Sequence, residues 1–492
     1  MSGHGGRASW VVGGLVVAGA ALRLATLDAQ SLWYDEAGTL SVLRPGLGAT
    51  FSAVRDQEAT PPLYFALLWV WSKVFGQGEV GLRSLSALAG TATIPVAYWI
   101  GRDLVSRRAG MVAAALVAFD PMLVWYSQEA RAYALLVLLA ALSLWFFARA
   151  LREPRPRDLA AWGIASALAL ATHYVAGFLI LPEAVWLLLR LPGARRAVAL
   201  AAAPVAVTGL ALAPLARDQT SGPNDPSWIG NIPLDLRLGQ VVHELLTAHV
   251  GLVNVAVRVA PPRGYGVAAA LLVIAGFWAL AARGEPAERH GAGVALGVAG
   301  LVLAVPLAIA LVRNGYFFDR DVIVAVVPFL VALAAGLGAA RAGRAGLIAA
   351  GALCAIGLAV SVTVAADPAL RRPPWRDVAR AVGPPRPARL VLFTPPWAHR
   401  ALRVYRQREG ALQAPLGAGG ATVDELALVA QDASAAALPA AIGPFRRTGA
   451  SQHQAIAVAH YRSPRPVLLT PATLGADPIA RAALAVAERP AD

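Results

Sequence analysis

The chain has 492 residues, of which 57% are hydrophobic and only 15% are charged, and its formal net charge is +14. Soluble proteins carry about 25% charged residues, so this composition excludes an ordinary cytosolic enzyme and a disordered tail protein. The apolar residues form blocks of about 20 residues, the length that crosses about 30 Å of hydrocarbon as a helix. The sequence therefore predicts an α-helical polytopic membrane protein.

About eleven transmembrane helices are predicted in chain order. They cover residues 10–27, 83–100, 109–126, 132–149, 159–174, 177–190, 197–215, 265–282, 292–312, 321–340 and 345–364. The apolar stretch Pro62–Phe75 is too short to cross, and its tryptophans are typical of an interfacial or re-entrant helix.

Arginine-rich gaps between the apolar blocks predict the orientation of the spans. These gaps are residues 101–108, 149–158, 190–196, 283–290 and 341–344. The positive-inside rule places such clusters in the cytoplasm. If successive spans alternate in direction, starting from a cytoplasmic N-terminus, all of these gaps lie in the cytoplasm. This requires that Pro62–Phe75 does not cross the membrane. The gaps that alternate with them, and the C-terminal tail, are then outside.

Two domains are predicted. Residues 1–364 form a transmembrane domain whose first outer loop, with interfacial helices, covers 28–82; residues 365–492 form a small extracytoplasmic α/β domain. In this tail, 389–394 and 455–460 are predicted strands, 396–408 a helix and 410–420 a loop, and about fifteen C-terminal residues are expected to be disordered. The single cysteine, Cys354, lies in an apolar block, which excludes a disulfide framework and a thiolate metal site.

The first outer loop carries two adjacent acids, Asp35 and Glu36, just past the first span. Carboxylates beside a membrane span are costly unless they are solvated, paired or functional. The alternative to a functional site is a solvated loop whose acids interact with lipid headgroups or with a helix N-terminus.

A second polar cluster lies in the turn between the third and fourth spans, with Gln128, Glu129, Arg131 and Tyr133. A guanidinium binds phosphate oxygens bidentately, so Arg131 is a candidate phosphate ligand. The alternative is an Arg–Glu pair that ties down the turn. Arg320, in the outer loop before the tenth span, is a second candidate for phosphate contact, and its alternative role is interface anchoring.

Further pocket candidates are Tyr34, Pro61, Pro62, Tyr64, Asp120, His173 and Tyr174. An intramembrane carboxylate such as Asp120 is a functional candidate, with helix capping or packing beside Pro121 as the alternative. The alternative for His173 is that it is simply a residue at the membrane interface. The alternative for Pro61 and Pro62 is a structural role, because proline is common at the start of a helix. The topology rests on arginine clusters alone, yet it places Asp35, the 128–131 turn, His173 and Arg320 outside.

Six motifs occur in order: SLWYDEA at 31–37, TPPLYF at 60–65, GLRSLSALAG at 81–90, GRDLVSRRAG at 101–110, WYSQEARAYAL at 125–135 and THYVAG at 172–177. Together they resemble the bacterial branch of the protein O-mannosyltransferase family (glycosyltransferase family 39) in the GT-C superfamily of membrane glycosyltransferases. Past residue 180 the resemblance is mainly one of hydropathy, with an aromatic-arginine element near Arg320.

The resemblance implies an inverting hexosyl- or pentosyltransferase that moves a sugar from a polyprenyl-phosphate donor to an acceptor hydroxyl. The reaction is expected at the outer face of the bacterial cytoplasmic membrane, with a glycan, lipid or protein as acceptor. The resemblance assigns Asp35, with Glu36 beside it, as the base, and the 128–133 positions to the donor site. Family members often carry His before the double proline, where this chain has Thr60.

Other functions remain open. A transporter or flippase for a lipid-linked saccharide is the main alternative, and it is expected to show paired repeats with broken helices. A non-catalytic scaffold for envelope assembly is a third. The sequence does not determine a metal site, although outer carboxylates can bind Mg²⁺ or Mn²⁺. The sequence contains no Gly-rich phosphate loop, the motif that would indicate a nucleotide-sugar donor. It also contains no basic-aromatic stretch of the kind that would indicate nucleic-acid binding.

Overall fold

The computed structural model describes residues 3–220, 226–247, 263–313, 317–475 and 483–490. These residues divide into two compact units. The larger unit contains the chain up to Leu27 and the described residues from Val42 to Thr363. The smaller unit contains Asp28–Ser41 and the described residues from Val364 onward.

The regular secondary structure of the described residues up to Ala366 is helical. The α-helices are α1 (Gly3–Leu24), α2 (Tyr34–Val42), α3 (Leu47–Gln57), α4 (Leu63–Phe75), α5 (Glu79–Leu104), α6 (Arg107–Phe119), α7 (Pro121–Ser127), α8 (Tyr133–Arg152), α9 (Pro156–Thr172), α10 (Gly177–Arg190), α11 (Arg195–Thr220), α12 (Leu234–Thr247), α13 (Arg263–Arg283), α14 (Pro286–Arg313), α15 (Val326–Leu337) and α16 (Gly343–Ala366). Short 3₁₀ helices join several of them, including Tyr174–Ala176, Pro226–Asn231 and Asp319–Ala325.

Seven helical stretches of the described residues are long and apolar enough to cross a membrane: Glu79–Leu104, Tyr133–Arg152, Pro192–Thr220, Gly264–Arg283, Pro286–Val312, Asp319–Leu337 and Ala340–Ala366. The helices α6 and α7 qualify together as an eighth, bent by 54° at the break between them. The chain is therefore a multi-pass membrane protein, as predicted.

The other predicted spans coincide with helices that are shorter than the hydrocarbon layer. The apolar part of α1 is Ala8–Leu24, α9 has 17 residues and α10 has 14. A 17-residue helix is about 26 Å long, which is less than the roughly 30 Å of hydrocarbon. The predicted number of about eleven spans thus corresponds to seven or eight full-length helices and three shorter ones. The short helix predicted at Pro62–Phe75 is α4, with 13 residues.

At the centre of the larger unit, α5 and α15 pack against each other and each packs against α6 and α8. Leu144, Phe147 and Val331 are fully buried there. The helices α5 and α6 approach closely at Gly101, where an added Cβ would lie 2.8 Å from the Cα of Gly110. Small residues at such a contact allow close packing of helices inside a membrane.

The smaller unit contains a seven-stranded sheet with the order β2-β7-β1-β3-β6-β5-β4. Its elements are α17 (Trp375–Val382), β1 (Arg389–Thr394), α18 (His399–Arg408), β2 (Ala411–Pro415), β3 (Ala421–Gln431), β4 (Ala441–Ile442), β5 (Phe445–His453), β6 (Ile456–Leu469), α19 (Pro471–Leu474) and β7 (Leu484–Pro490). The strands β1 and β3 are parallel, and the other neighbours are antiparallel.

The sheet corrects two expectations for the tail. The predicted loop at 410–420 contains β2, and the predicted disordered end contains β7. The strand β7 pairs with both β1 and β2, and Val486 and Glu488 are buried on the same side of it. An alanine-rich strand with a buried acid lacks the β-branched and aromatic residues by which strands are recognised.

Candidate active site

The turn between α7 and α8 is anchored to α1 through Gln128. The side-chain Nε2 of Gln128 donates to the backbone oxygen of Leu22 at 2.9 Å and to Oγ1 of Thr26 at 2.8 Å. On the α5 side, Ser86 Oγ donates to the backbone oxygen of Arg131 at 3.2 Å. These bonds fix the backbone from which Arg131 projects.

Arg131 forms an ion pair with Glu58, which caps the C-terminal end of α3. One nitrogen, Nη1, donates to Oε1 at 3.0 Å and to Oε2 at 2.9 Å. The side chains of Arg131 and Glu58 are only 11% and 5% exposed. An Arg–Glu pair was the predicted alternative role for Arg131, but the sequence did not single out Glu58 as the partner. The pair fixes the direction of the guanidinium, which is a property that a phosphate site requires.

His173 lies in the same cluster. Its ring is 5.8 Å from the ring of Tyr133, which in turn lies 4.9 Å from Tyr126. The 3₁₀ helix Asp319–Ala325, which contains Arg320, packs against the Tyr174–Ala176 turn and against α8. The structure thus brings together residues from three separate gaps between the predicted spans.

Arg320 has a different environment from Arg131. Its guanidinium lies 5.3 Å from the ring of Trp228 and 5.6 Å from the ring of Phe318. Beside it, Asp319 Oδ1 accepts from the Arg320 backbone N–H at 2.7 Å, and Gln240 donates to Oδ2 at 3.4 Å. The sequence analysis did not single out Trp228, Asp319 or Gln240. The aromatic and acidic residues next to Arg320 in the sequence could have indicated that its side chain has ordered polar and aromatic neighbours.

The region around the double proline is connected to the same cluster. Tyr174 donates its hydroxyl to Gln219 Oε1 at 2.9 Å, and Gln219 Nε2 donates to the backbone oxygen of Thr60 at 3.1 Å. The Thr60 hydroxyl is buried and has no hydrogen-bond partner among the described residues. Tyr64, after Pro61 and Pro62, shares a 3.1 Å hydrogen bond with Ser86. These contacts place the start of α4 beside the 128–133 turn.

Asp120 stands at the break between α6 and α7. Its Oδ1 accepts from the Leu123 backbone N–H at 2.9 Å, so the side chain caps α7, and Pro121 follows at the first helical position. This is the capping geometry that was the alternative to a functional carboxylate.

A fully buried arginine, Arg23, stabilises this break. It donates to the backbone oxygens of Ala118 at 2.9 Å and Val117 at 3.0 Å, and to Ser127 Oγ at 3.2 Å. Carbonyls at a helix end need a donor when no water reaches them. Arg23 was not singled out from the sequence, where it resembles an ordinary charge at a span end.

The two candidate acids of the first outer loop belong to the smaller unit, at the first turn of α2. Glu36 is fully buried, and its Oε2 accepts from the Trp33 backbone N–H at 3.4 Å. This is one half of a capping box. Asp35 is only partly buried.

Within the described residues, no group of three or more His, Cys, Asp or Glu side chains has an arrangement that could hold a metal ion.

Comparison with known proteins identifies the fold. No curated protein shows significant sequence similarity to the chain. Residues 59–216 match a family model described as dolichyl-phosphate-mannose-protein mannosyltransferase. This range contains Gln128, Arg131 and His173.

The chain is also similar to two crystal structures of ArnT from Cupriavidus metallidurans. The apo structure matches with a TM-score of 0.56 and 16% identity, over 92% of this chain and 98% of that one. The structure bound to undecaprenyl phosphate matches with a TM-score of 0.53 and 15% identity, over the same shares. At these identities the likeness concerns the fold, and it confirms the predicted GT-C architecture of a membrane helical domain with a C-terminal domain.

Proposed function

We propose that this chain, a multi-pass membrane protein with the GT-C fold of membrane glycosyltransferases, is an inverting glycosyltransferase. It transfers a sugar from a polyprenyl-phosphate donor to an acceptor hydroxyl at the outer face of the bacterial cytoplasmic membrane. In this proposal residues 1–364 form the catalytic transmembrane domain and residues 365–492 an extracytoplasmic domain.

The observation that carries the proposal is the cluster of Arg131, Tyr133, His173 and Arg320. The start of α8 with Tyr133, the turn after His173 and the 3₁₀ helix that contains Arg320 pack against one another at the ends of apolar helices. A pair of fixed positive charges at membrane level suits an anionic group attached to a lipid chain. The likeness to ArnT, which was crystallised with undecaprenyl phosphate, supports a polyprenyl phosphate as that lipid.

The reaction needs one base and no acid catalyst. An acceptor hydroxyl is a poor nucleophile at neutral pH, so Asp35 takes its proton as the oxygen attacks the anomeric carbon. The bond from that carbon to the phosphate oxygen breaks as the new glycosidic bond forms, and a single displacement inverts the centre. The leaving group is already an anion, and Arg131 with Arg320 stabilises the charge that develops on it.

The two adjacent acids have different surroundings, which favours Asp35 over Glu36 as the base. Glu36 is fully buried and accepts from the Trp33 backbone N–H, so its carboxylate has a structural role at the start of α2. Asp35 occupies the same helix turn but remains partly exposed. A base must reach an incoming hydroxyl, and partial exposure meets that requirement.

The test is transfer of radiolabelled sugar from a panel of polyprenyl-phosphate donors by the purified protein, with membrane extract as acceptor. Wild type is compared with Asp35→Asn, Glu36→Gln and Asp28→Asn, all checked for equal folding. Asp28 is the matched control because it is an exposed acid of the same segment. We expect Asp35→Asn to lower the transfer rate by at least about 10²-fold, Glu36→Gln by less than about tenfold because glutamine can also cap the helix, and Asp28→Asn to have little effect.

Two results would contradict parts of the proposal separately. Full transfer by Asp35→Asn would reject Asp35 as the base and leave the enzyme assignment in place. No transfer by wild type with any donor would reject the glycosyltransferase itself. A liposome flipping assay with a lipid-linked saccharide would then test the transporter alternative.

A further inference from the structure

The segment that leads into Asp35 is hydrogen-bonded to the C-terminal part of the smaller unit at successive residues. Gln30 Oε1 accepts from the Arg372 backbone N–H at 2.9 Å, and Ser31 Oγ accepts from the Arg376 backbone N–H at 3.1 Å. Each bond joins side chains of the first outer loop to the backbone of residues more than 300 positions later.

The strongest contact of this set involves α18. The Leu32 backbone N–H donates to the hydroxyl oxygen of Tyr405 at 2.6 Å. Leu32 is fully buried and Tyr405 nearly so, so water cannot replace the hydroxyl as acceptor. A buried N–H that loses its acceptor is energetically costly.

The residue directly before Asp35 is also held by α18 and the turn before it. The ring of Tyr34 meets the ring of Trp397 edge to face, with centroids 5.6 Å apart. The guanidinium of Arg400 lies 5.2 Å from the Tyr34 ring. The backbone of Leu32 and the side chain of Tyr34, both just before Asp35, are therefore held by residues of the C-terminal part of the smaller unit.

The helix α18 is itself rigidly attached. Its Arg406 donates from Nε to Glu488 Oε1 at 2.7 Å, and from Nη2 to Oε2 at 2.5 Å. Both side chains are fully buried, and Glu488 lies on β7 within the sheet. The helix also packs against α17 and β2. A support of this kind can hold a reactive group within a fraction of an ångström.

We propose that the C-terminal part of the smaller unit positions the catalytic base, with Tyr405 as a positioning residue that acts through Leu32 on Asp35. This inference rests on the proposed function, since it assigns Tyr405 a role only if Asp35 is the base. The C-terminal part of the smaller unit is then required for the full rate, because a displacement of about 1 Å at a reacting group can cost about 10²-fold in rate.

The first readout does not depend on activity. Tyr405→Phe keeps the ring and removes only the oxygen that accepts from Leu32. Hydrogen exchange is followed over residues 28–41 of the full-length protein in detergent, with Arg403→Ala as control, because Arg403 is exposed on the same helix. We expect exchange in this segment to become at least about fivefold faster in Tyr405→Phe and to stay unchanged in Arg403→Ala.

The second readout is a double-mutant cycle on the transfer rate. Tyr405→Phe is expected to lower kcat by about 10- to 100-fold, while the donor KM changes by less than about twofold. In the Asp35→Asn background the same substitution should cause no further loss, because a residue that acts through Asp35 has nothing left to position. General destabilisation would instead lower the rate equally in both backgrounds.

Unchanged exchange, or equal losses in both backgrounds, would overturn the positioning role. A rise in the acceptor KM alone would also overturn it and indicate acceptor binding by α18 instead. If the wild-type protein transfers no sugar, the proposed function fails, and the exchange measurement separately decides whether Tyr405 holds the segment.

Discussion

Arg131 and Glu58 form an ion pair in which one guanidinium nitrogen contacts both carboxylate oxygens, at 3.0 and 2.9 Å. The pair joins the turn between α7 and α8 to the end of α3. Both side chains are nearly buried, so the carboxylate lies against the guanidinium where little water screens the two charges. An anionic ligand at Arg131 would supply a second negative group at the same place.

Glu58→Gln is expected to destabilise the protein by about 3 kcal/mol, because it removes the negative charge from a nearly buried ion pair. Undecaprenyl phosphate should then raise Tm more in Glu58→Gln than in wild type, since the phosphate replaces the missing charge. Thermal unfolding in detergent, with and without the lipid, measures both effects. Asp56→Asn is the control, as an exposed acid of the same helix. If the lipid raises the Tm of Glu58→Gln by no more than it raises the Tm of wild type, the result would count against Arg131 as a phosphate ligand.

Arg23→Leu is expected to lower the free energy of unfolding by about 3 kcal/mol, because hydrogen bonds from a charged group to buried carbonyls are lost at the break between α6 and α7. Thermal unfolding in detergent measures the loss. Arg190→Leu is the matched control, since Arg190 is exposed at the end of α10. Equal changes in Tm for the two variants would show that Arg23 has no special role at the break.

Acid should weaken the smaller unit through Glu425 on β3, which accepts from Arg389 Nη2 at 2.7 Å. Burial alone would raise the pKa of this carboxyl, but Arg389, His460 and Arg386 hold the pKa below its usual range. A lowered folded-state pKa contributes stability above the unfolded-state value of about 4.3, and that stability is lost as pH falls through the folded-state pKa.

Glu425→Gln should therefore lower Tm clearly at pH 7, and its difference from wild type should shrink as pH falls below about 4. Thermal unfolding of the full chain across this range measures the difference. Asp424→Asn, an exposed acid one residue away, should show no such convergence. A constant difference between wild type and Glu425→Gln at all pH values would contradict the assignment to this carboxyl.

The proposed orientation can be checked with single cysteines in a Cys354→Ala background. Glu153→Cys lies in an arginine-rich gap, and Asp28→Cys lies in the first outer loop; both positions are exposed. We expect a membrane-impermeant maleimide to label Asp28→Cys in intact cells and to label Glu153→Cys only after permeabilisation. The opposite pattern would invert the proposed topology.

The sequence predicts most of the membrane architecture because hydropathy and arginine placement are local signals. It also singles out Arg131, Tyr133, His173 and Arg320, which lie on elements of the larger unit that pack against one another. Their role in donor binding stays a prediction. Glu58 and Arg23 escape notice because their partners lie 73 and about 95 positions away in the chain, and only the tertiary fold brings them together.

The tail is predicted less completely. The strand β1 and the helix ending at Arg408 are found from their patterns, whereas β7 is missed because its alanines resemble a disordered end. Its buried Glu488 is compatible with a strand only because Arg406 supplies a counter-charge. Attachment of Asp28–Ser41 to the smaller unit is likewise a long-range property that no local pattern encodes.

That attachment has a consequence for biogenesis. The smaller unit is discontinuous in the chain, since Asp28–Ser41 binds residues such as Arg372, Arg376 and Tyr405. At about 5–20 residues per second, the ribosome needs roughly 20–70 s to make the roughly 330 intervening residues. The segment Asp28–Ser41 is therefore synthesised long before its partners exist, and it acquires its final conformation only after those partners have been synthesised.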